Sequence, residues 1–490
     1  MHQWDNMNLN AEQICNACEG QFLVEPIDTT VFAIAIKIDS RSVECGDLFV
    51  AFSGNNVDGH DYITDVIKNK ASVIICEKDL NDEVLDFARE NLVSVIKVKS
   101  SYEALRNIAI EWRKNIMGKV VGITGSVGKT TAKNLIYETL SIKYNVSANK
   151  GNFNNEIGLP ITLCSSNFDD DFVVTEMGMS APGEITDLCE IAQPVWGVIT
   201  NISEAHIEFF KSIDKIAEAK SELALAIPDN IGTMFLPMDS EYRDFVIDYA
   251  KLKERNIKLI YFGGTAYHSE IKAPQVWFED VELDGFGRPS FIVCTKDFRD
   301  SEQERSLCKL NIVGKHNIIN ACAAIAVGLE ADISLTKILE NFKQSKPEGG
   351  RQEILKSKTG YAIINDAYNA NPTSMISSLE TFGKIKCDGR RIAFLGDMFE
   401  LGTYEVTGHK KVGQAVFDNN MDILICVGKL SENIASQAQV AGMQKDKVIH
   451  FENVDEAKNY LEQIVNVDDV VLFKASNSMG FQEIVKELIN

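Results

Sequence analysis

Nowhere does the sequence run through about 18 consecutive apolar residues, the length a helix needs to cross a bilayer, so no membrane insertion is expected. Positive charge is also scarce: 49 Lys and Arg stand against 71 Asp and Glu, a net charge of -22. A phosphate backbone is repelled by such a chain, which disfavours nucleic acid as a partner. A small anion in a locally basic site remains compatible with it. The start, Met1-His2-Gln3-Trp4-Asp5, lacks a basic segment followed by an apolar one, so no secretory leader is expected and the chain reads as cytoplasmic. Its 11 cysteines are odd in number and scattered, the usage of a reducing compartment rather than a disulfide framework. Cys15-x-x-Cys18 has no second pair at zinc spacing and reads as two thiols on an N-terminal helix. Internal repeats and low-complexity tracts are absent.

What is there is an ordinary globular composition, 45% apolar and 24% charged over 490 residues, enough for two to four domains with cores of their own. Four short β-rich runs, Val31 to Ile36, Leu48 to Phe52, Ser72 to Cys76 and Val93 to Val98, with a helical stretch at Tyr62 to Lys70, predict a small α/β domain. A helix over Ser101 to Ile116 leads out of it. Strand and helix signals then alternate through Lys119 to Ile123, Phe172 to Glu176, Val195 to Thr200, Thr233 to Pro237 and Leu259 to Phe262, the pattern of a mostly parallel sheet with helices on both faces. Short punctuated runs from Val276 to Val313 predict an antiparallel addition, closed by a helix over Asn317 to Leu329. After the turn-rich Ser345-Lys346-Pro347-Glu348-Gly349-Gly350, strands at Tyr361 to Asp366, Arg391 to Gly396, Asp422 to Val427, Lys447 to Phe451 and Val470 to Lys474 predict a second doubly wound, Rossmann-like sheet. The fold class is therefore α/β in three domains, bounded at 1–112, 113–344 and 345–490. The second and third are each built for ligands at the carboxyl ends of their strands, and two such edges facing each other make an interdomain cleft.

Chemistry-bearing residues fall on those edges. Thr124-Gly125-Ser126-Val127-Gly128-Lys129-Thr130-Thr131 follows an apolar strand and opens a helix. A glycine turn at a helix N-terminus aims backbone N–H groups and the positive end of the helix dipole at one point, which suits the β- and γ-phosphates of a nucleotide. Lys129 supplies a charge and Thr130 a hydroxyl for Mg²⁺. Glu176 ends a strand on the same edge and suits a metal ion. His206, beyond the strand Val195 to Thr200, shares that edge and is a second metal candidate. Lys220 lies in a helical stretch and on residue pattern alone is a solvated lysine. Asn152, Asn154 and Asn155 form an amide-rich turn whose donors and acceptors suit a sugar or peptide. In the last domain, Asp366-Ala367-Tyr368-Asn369-Ala370-Asn371-Pro372 places an acid, an aromatic ring and amides at a strand end, a set suited to a nucleoside.

Together these residues resemble the Mur ligase superfamily, the ATP-dependent amide-forming ligases of peptidoglycan precursor synthesis. The resemblance runs from Asp39-Ser40-Arg41-Ser42 to Ser478-Met479. Four motifs resemble the branch that adds D-alanyl-D-alanine: Asp58-Gly59-His60-Asp61, Gly151 to Asn155 with Ile157 to Pro160, Tyr368 to Pro372, and Gly396-Asp397-Met398-Phe399-Glu400-Leu401-Gly402. The resemblance implies that the first domain binds UDP-N-acetylmuramoyl-tripeptide and that D-alanyl-D-alanine is joined to it through an acyl phosphate. It implies ATP on Gly125, Ser126, Val127, Gly128, Lys129, Thr130 and Thr131, with Asn317 at the adenine, Arg351 at the phosphates and Asp366 at the ribose. It further implies one Mg²⁺ on Thr130 and Glu176, and a second on His206 and a carbamylated Lys220. Lys129, Lys220, His206 and Glu176 are then the catalytic set. Ser40 and Arg41 belong to the UDP site, with Asp58 to His60 beside them, while Asn152, Asn154, Asn155, Tyr368, Asn369, Lys474 and Ser476 contact substrate. A monomer is expected. One departure stands out: the family's Lys-Gly-Ser-Arg is Lys474-Ala475-Ser476-Asn477 here. Other Mur-type or folylpolyglutamate-type ligases, and an ATP-hydrolysing switch protein, are the rival readings.

Overall fold

The computed structural model describes residues 7, 9–54, 57–204, 207–298 and 303–489. His206 lies outside the described residues. Three sheets follow one another along the chain. The first orders Gln21–Val24, Ser94–Lys97, Val73–Cys76, Leu48–Val50 and Ile36–Lys37, antiparallel only at the first pair. The expected strand over Val31 to Ile36 is reduced to Ile36–Lys37. Backbone groups there go to scattered partners, Ala33 N–H to the Leu9 carbonyl and Ile34 N–H to that of Gly46, and no ladder forms.

The second sheet has nine strands. Its parallel part runs Val146–Ala148, Phe172–Glu176, Lys119–Thr124, Trp196–Ile199, Thr233–Pro237, Lys258–Gly264 and Gln275–Leu283. Every residue of Phe172–Glu176 is buried, as is all of Lys119–Thr124 but its first lysine, as expected where helices cover both faces of parallel strands. Pro289–Lys296 and Glu304–Lys309 extend the edge antiparallel. The third sheet orders Glu353–Lys356, Ala362–Asn365, Val470–Lys474, Arg391–Gly396, Ile423–Val427 and Val448–Phe451, parallel except for its first strand.

The three sheets are not equally joined. Helix Ser101–Arg113 buries Leu105, Ile108, Ala109 and Trp112 in one continuous apolar core with Leu159, Leu163, Ile185 and Leu188 of the second unit. Trp112 Nε1 donates to the Ser166 carbonyl at 3.2 Å, and Arg113 Nε to that of Ala192 at 2.8 Å. The third unit instead has its own cores, one on each face of its sheet, centred on Met375, Leu379, Phe382 and Val416 and on Phe394, Phe473, Phe481 and Leu488. It meets the second through polar contacts: Asn134 Nδ2 to Glu348 Oε2 at 3.0 Å, Ser377 Oγ with His316 Nδ1 at 2.9 Å, Lys386 N–H to the Gly285 carbonyl at 2.9 Å, and a Lys411–Glu204 ion pair at 3.7 Å.

Trp112→Ala empties the joint between the first two units and strands the Ser166 carbonyl. A loss of about 3–5 kcal/mol is expected, read as a lower denaturation midpoint for both units together. An unchanged midpoint would contradict a shared core.

Candidate active site

The strand Lys119–Thr124 delivers the chain to a turn and then to helix Lys129–Leu140, whose N-cap is Gly128 at φ +82°. Two glycines are obligatory there. A Cβ on Gly125 would stand 1.9 Å from Thr200 Oγ1, and one on Gly128 2.7 Å from Asn320 Oδ1. The turn is clamped from the neighbouring strand end. Asn201 Oδ1 accepts from Val127 N–H at 2.9 Å while its Nδ2 donates to the Val127 carbonyl at 2.9 Å. Thr200 Oγ1 donates to that same carbonyl at 2.8 Å, and Ser126 Oγ donates to the Ser203 carbonyl at 3.0 Å. Lys129 folds back onto the Gly125 carbonyl at 2.8 Å.

Beside the loop stands Glu176, 2% exposed. Asn154 Nδ2 donates to its Oε1 at 2.8 Å, whereas its Oε2 is buried and has no hydrogen-bond partner among the described residues. An orphaned carboxylate oxygen on the wall of a phosphate site fits a divalent cation, which would satisfy it at small cost in desolvation. The group is braced from behind. Asn149 Oδ1 accepts from the Glu176 N–H at 2.8 Å and its Nδ2 donates to the Phe153 carbonyl at 3.2 Å. Lys133, one helical turn beyond Lys129 and 2% exposed, donates to the Asn149 carbonyl at 2.7 Å. Lys133 thus ties the phosphate-loop helix to the acid and to the amide-rich turn in one step.

Lys220 is 1% exposed on helix Ile213–Ala226. No hydrogen bond or ion pair to its ammonium exists among the described residues. Burial and the adjacent charge of Lys129 push its pKa well down, so the amine is biased towards neutrality. Lys129 is itself pushed down by burial, against the opposing pull of Glu176 and with a further push from Arg351.

These elements wall a cavity of about 1430 Å³ between the second and third sheets. Of the expected residues it gathers Ser126 to Thr131, Asn152, Asn154, Asn155, Glu176, Asn317, Arg351, Asp366, Tyr368, Asn369, Lys474 and Ser476. Lys220 lies behind it, within reach of Lys129's charge. Ser40 and Arg41 do not line it: they sit on a 3-10 turn where Arg41 is paired with Asp39 at 2.7 Å. The Asp58-to-His60 motif closes on itself, His60 Nδ1 with Asp58 Oδ1 at 2.6 Å and Glu77 N–H onto His60 Nε2 at 2.9 Å. Asn317 is turned inward, its Nδ2 on the Val313 carbonyl at 2.7 Å and its Oδ1 accepting from Asn320 at 2.9 Å. Asp366 is paired with Lys474 at 2.7 Å, and Ser476 Oγ accepts from Phe399 N–H at 3.0 Å. Among the described residues no three His, Cys, Asp or Glu side chains gather as a metal cluster. Sequence reasoning passed over Lys133, Asn149 and Asn201. The i, i+4 spacing of Lys129 and Lys133, which puts two lysines on one helix face, was a signal for the first.

Comparison with known proteins bears on what this arrangement is. Three family models match in succession: "Mur ligase family, catalytic domain" over residues 34–113, "Mur ligase middle domain" over 123–328, and "Mur ligase, glutamate ligase domain" over 350–477. The UDP-N-acetylmuramoyl-tripeptide–D-alanyl-D-alanine ligase of Bacillus subtilis is 32% identical over 93% of this chain and 93% of its own length. The chain belongs to the Mur ligase family. The Rickettsia prowazekii ligase of the same name is 31% identical over 94% of this chain and 96% of its own. Among solved structures, MurF from Acinetobacter baumannii superposes with a TM-score of 0.81 at 27% identity, covering 98% of both chains. MurF ligase from Thermotoga maritima, in complex with ADP, has a TM-score of 0.73 at 28% identity over 93% of this chain and 96% of its own. The mixed α/β architecture with three sheet-bearing domains is this family's.

Two outcomes test this Mur ligase site. Lys133→Met leaves the Asn149 carbonyl without its donor. Stability is expected to fall by about 1–3 kcal/mol, and kcat by about tenfold through the displaced carboxylate; turnover at the parent rate would remove Lys133 from the brace. His316, which joins the second and third units through Ser377, is pushed by burial to about 4 from an ordinary 6.5, against the pull of Asp366 and with a push from Lys474. The unfolded chain therefore takes up a proton that the folded chain refuses. Stability present above pH 6.5 is lost as the pH falls towards 4, by at most about 3 kcal/mol, and His316→Gln flattens that slope in thermal melts across the window.

Proposed function

We propose that this chain joins D-alanyl-D-alanine to UDP-N-acetylmuramoyl-tripeptide at the expense of ATP, in cytoplasmic peptidoglycan precursor synthesis. The observation that carries the reading is one cavity with a phosphate loop and a carboxylate on one wall, and an arginine and an aromatic ring on the other. Residues 1–112 hold the UDP end of the substrate, with Ser40 and Arg41, 113–344 hold ATP, and 345–490 close over both. ATP use is in keeping with the family and with the ADP complex of the Thermotoga maritima relative.

The physical problem is that a carboxylate and an amine do not condense usefully in water, because oxide is a poor leaving group. Transfer of the γ-phosphoryl group to the tripeptide's terminal carboxylate replaces that oxide by phosphate, and the dipeptide amine then expels it. The first step drives one anion against another, so the site must neutralise charge. Lys129 leaves the Gly125 carbonyl for the phosphates, while the loop amides and the N-terminus of helix Lys129–Leu140 face them. Arg351 adds a charge from the opposite wall. Magnesium would supply the remaining neutralisation, one ion on Thr130 and Glu176, a second on His206 and carbamylated Lys220. Lys220 suits that modification, because a neutral buried amine adds to CO₂, loses one proton and becomes an anion where a cation is costly. The amide-rich turn orients the acceptor through Asn152 and Asn155, as Asn154 is held by Glu176. Monomeric behaviour is part of the same reading, since both walls of the cavity come from one chain.

The decisive experiment couples phosphate release to product mass. Phosphate is expected only when UDP-N-acetylmuramoyl-tripeptide and D-alanyl-D-alanine are both present, with a pentapeptide product of matching mass. Comparing lysine with diaminopimelate at the third position reads the chain's preference. Release of phosphate indifferent to both substrates would point to a hydrolysing switch instead.

A further inference from the structure

Tyr368 has its ring beneath the guanidinium of Arg351, with Cζ 3.9 Å from the ring centre, well inside the ~6 Å range of a cation–π contact. The backbone repeats the link: Tyr368 N–H donates to the Gly350 carbonyl at 3.0 Å. Gly350 adopts φ +77°, the left-handed turn that brings Arg351 round onto the ring. Arg351 forms no ion pair with a carboxylate among the described residues, and its Nε is buried without a hydrogen-bond partner there. Most arginines in this chain are fixed by an acid, as Arg390 is by Asp469 at 2.6 Å and Arg255 by Asp229 at 2.7 Å. Arg351 is oriented by an aromatic face instead. Its charge is therefore not cancelled by a contact ion pair, and it is felt by Lys129 and Lys133.

We propose that Tyr368 is a positioning residue for Arg351: its ring holds the guanidinium plane towards the phosphate loop. An aromatic platform orients the cation without neutralising it. A carboxylate in the same place would orient it too, but would cancel the charge that the incoming polyphosphate needs. Arg351 covers one face of the ring. This inference rests on the ligase reading above, in which Arg351 serves the phosphates.

A double-mutant cycle on the full chain tests it, with kcat, the KM for the UDP-tripeptide and the thermal midpoint recorded for each variant. Tyr368→Phe keeps the ring and is expected within about twofold of the parent kcat. Tyr368→Leu is expected to lose about tenfold in kcat, with the KM for the UDP-tripeptide moved by less than about twofold. In an Arg351→Ala background, Tyr368→Leu should cost nothing more, because the cation it positions is gone. If the leucine variant does not fold, Tyr368→Gln takes its place in the cycle. Losses that multiply in the double variant, a Tyr368→Phe as poor as Tyr368→Leu, or a change confined to the UDP-tripeptide KM would each overturn the proposal. An Arg351→Ala variant with poor kcat beside a normal Tyr368→Leu overturns this inference and leaves the ligase reading standing. Normal turnover in Arg351→Ala overturns the arginine's role there, and the positioning role with it.

Discussion

The constraint behind this molecule is charge density. A chain with net charge -22 must assemble a place where a polyphosphate and a carboxylate can approach. It does so by gathering four of its 49 cations in one region. Lys129, Lys133, Lys220 and Arg351 converge on the cavity or stand directly behind it. Burial lowers the proton affinity of all three lysines because a desolvated ammonium loses its hydration. An arriving anion reverses that effect, so the ligand and the charged form of the site favour each other. Low-dielectric surroundings of this kind strengthen each contact to an anion.

The two walls of the site are built differently. One wall is the phosphate loop, Glu176 and the amide turn, locked by Asn201, Asn149 and Lys133 and backed by an apolar core that runs without a break into the first unit. The opposite wall belongs to a unit whose cores are its own. Polar contacts such as Asn134 with Glu348 and Ser377 with His316 join it to the second unit, and neither of its own cores extends there.

Legibility in the sequence followed how local each feature is. The phosphate loop was plain because strand, glycine turn and helix are contiguous. The strands Phe172–Glu176, Thr233–Pro237, Arg391–Gly396 and Val470–Lys474 were plain because central parallel strands are apolar throughout. Gln21–Val24 and Glu353–Lys356 were passed over; both are short antiparallel edges, partly exposed, with no clean alternation to mark them. Lys220 reads as solvated by residue type, yet it falls on the stripe of Ile216, Leu223 and Ala224 that helix Ile213–Ala226 buries. The periodicity carried that information; residue type masked it. The Asn149 and Asn201 clamps depend on which strand ends are neighbours, 27 and 74 residues apart from the groups they hold, and no local pattern encodes that.

The departure at Asn477 takes on meaning in the same terms. Lys474 is not a free charge: it is 3% exposed and bound to Asp366 and to the Asn369 carbonyl at 3.1 Å. The pair is buried on both sides, and its two charges cancel at any distance beyond a few ångströms. With asparagine rather than arginine at position 477, that edge of the third sheet offers hydrogen bonds from Asn477 and Ser476 but no net charge. Positive potential from that wall then depends heavily on Arg351. A guanidinium that carries this duty has to be oriented without a counter-ion, and a tyrosine face meets that requirement where an aspartate could not.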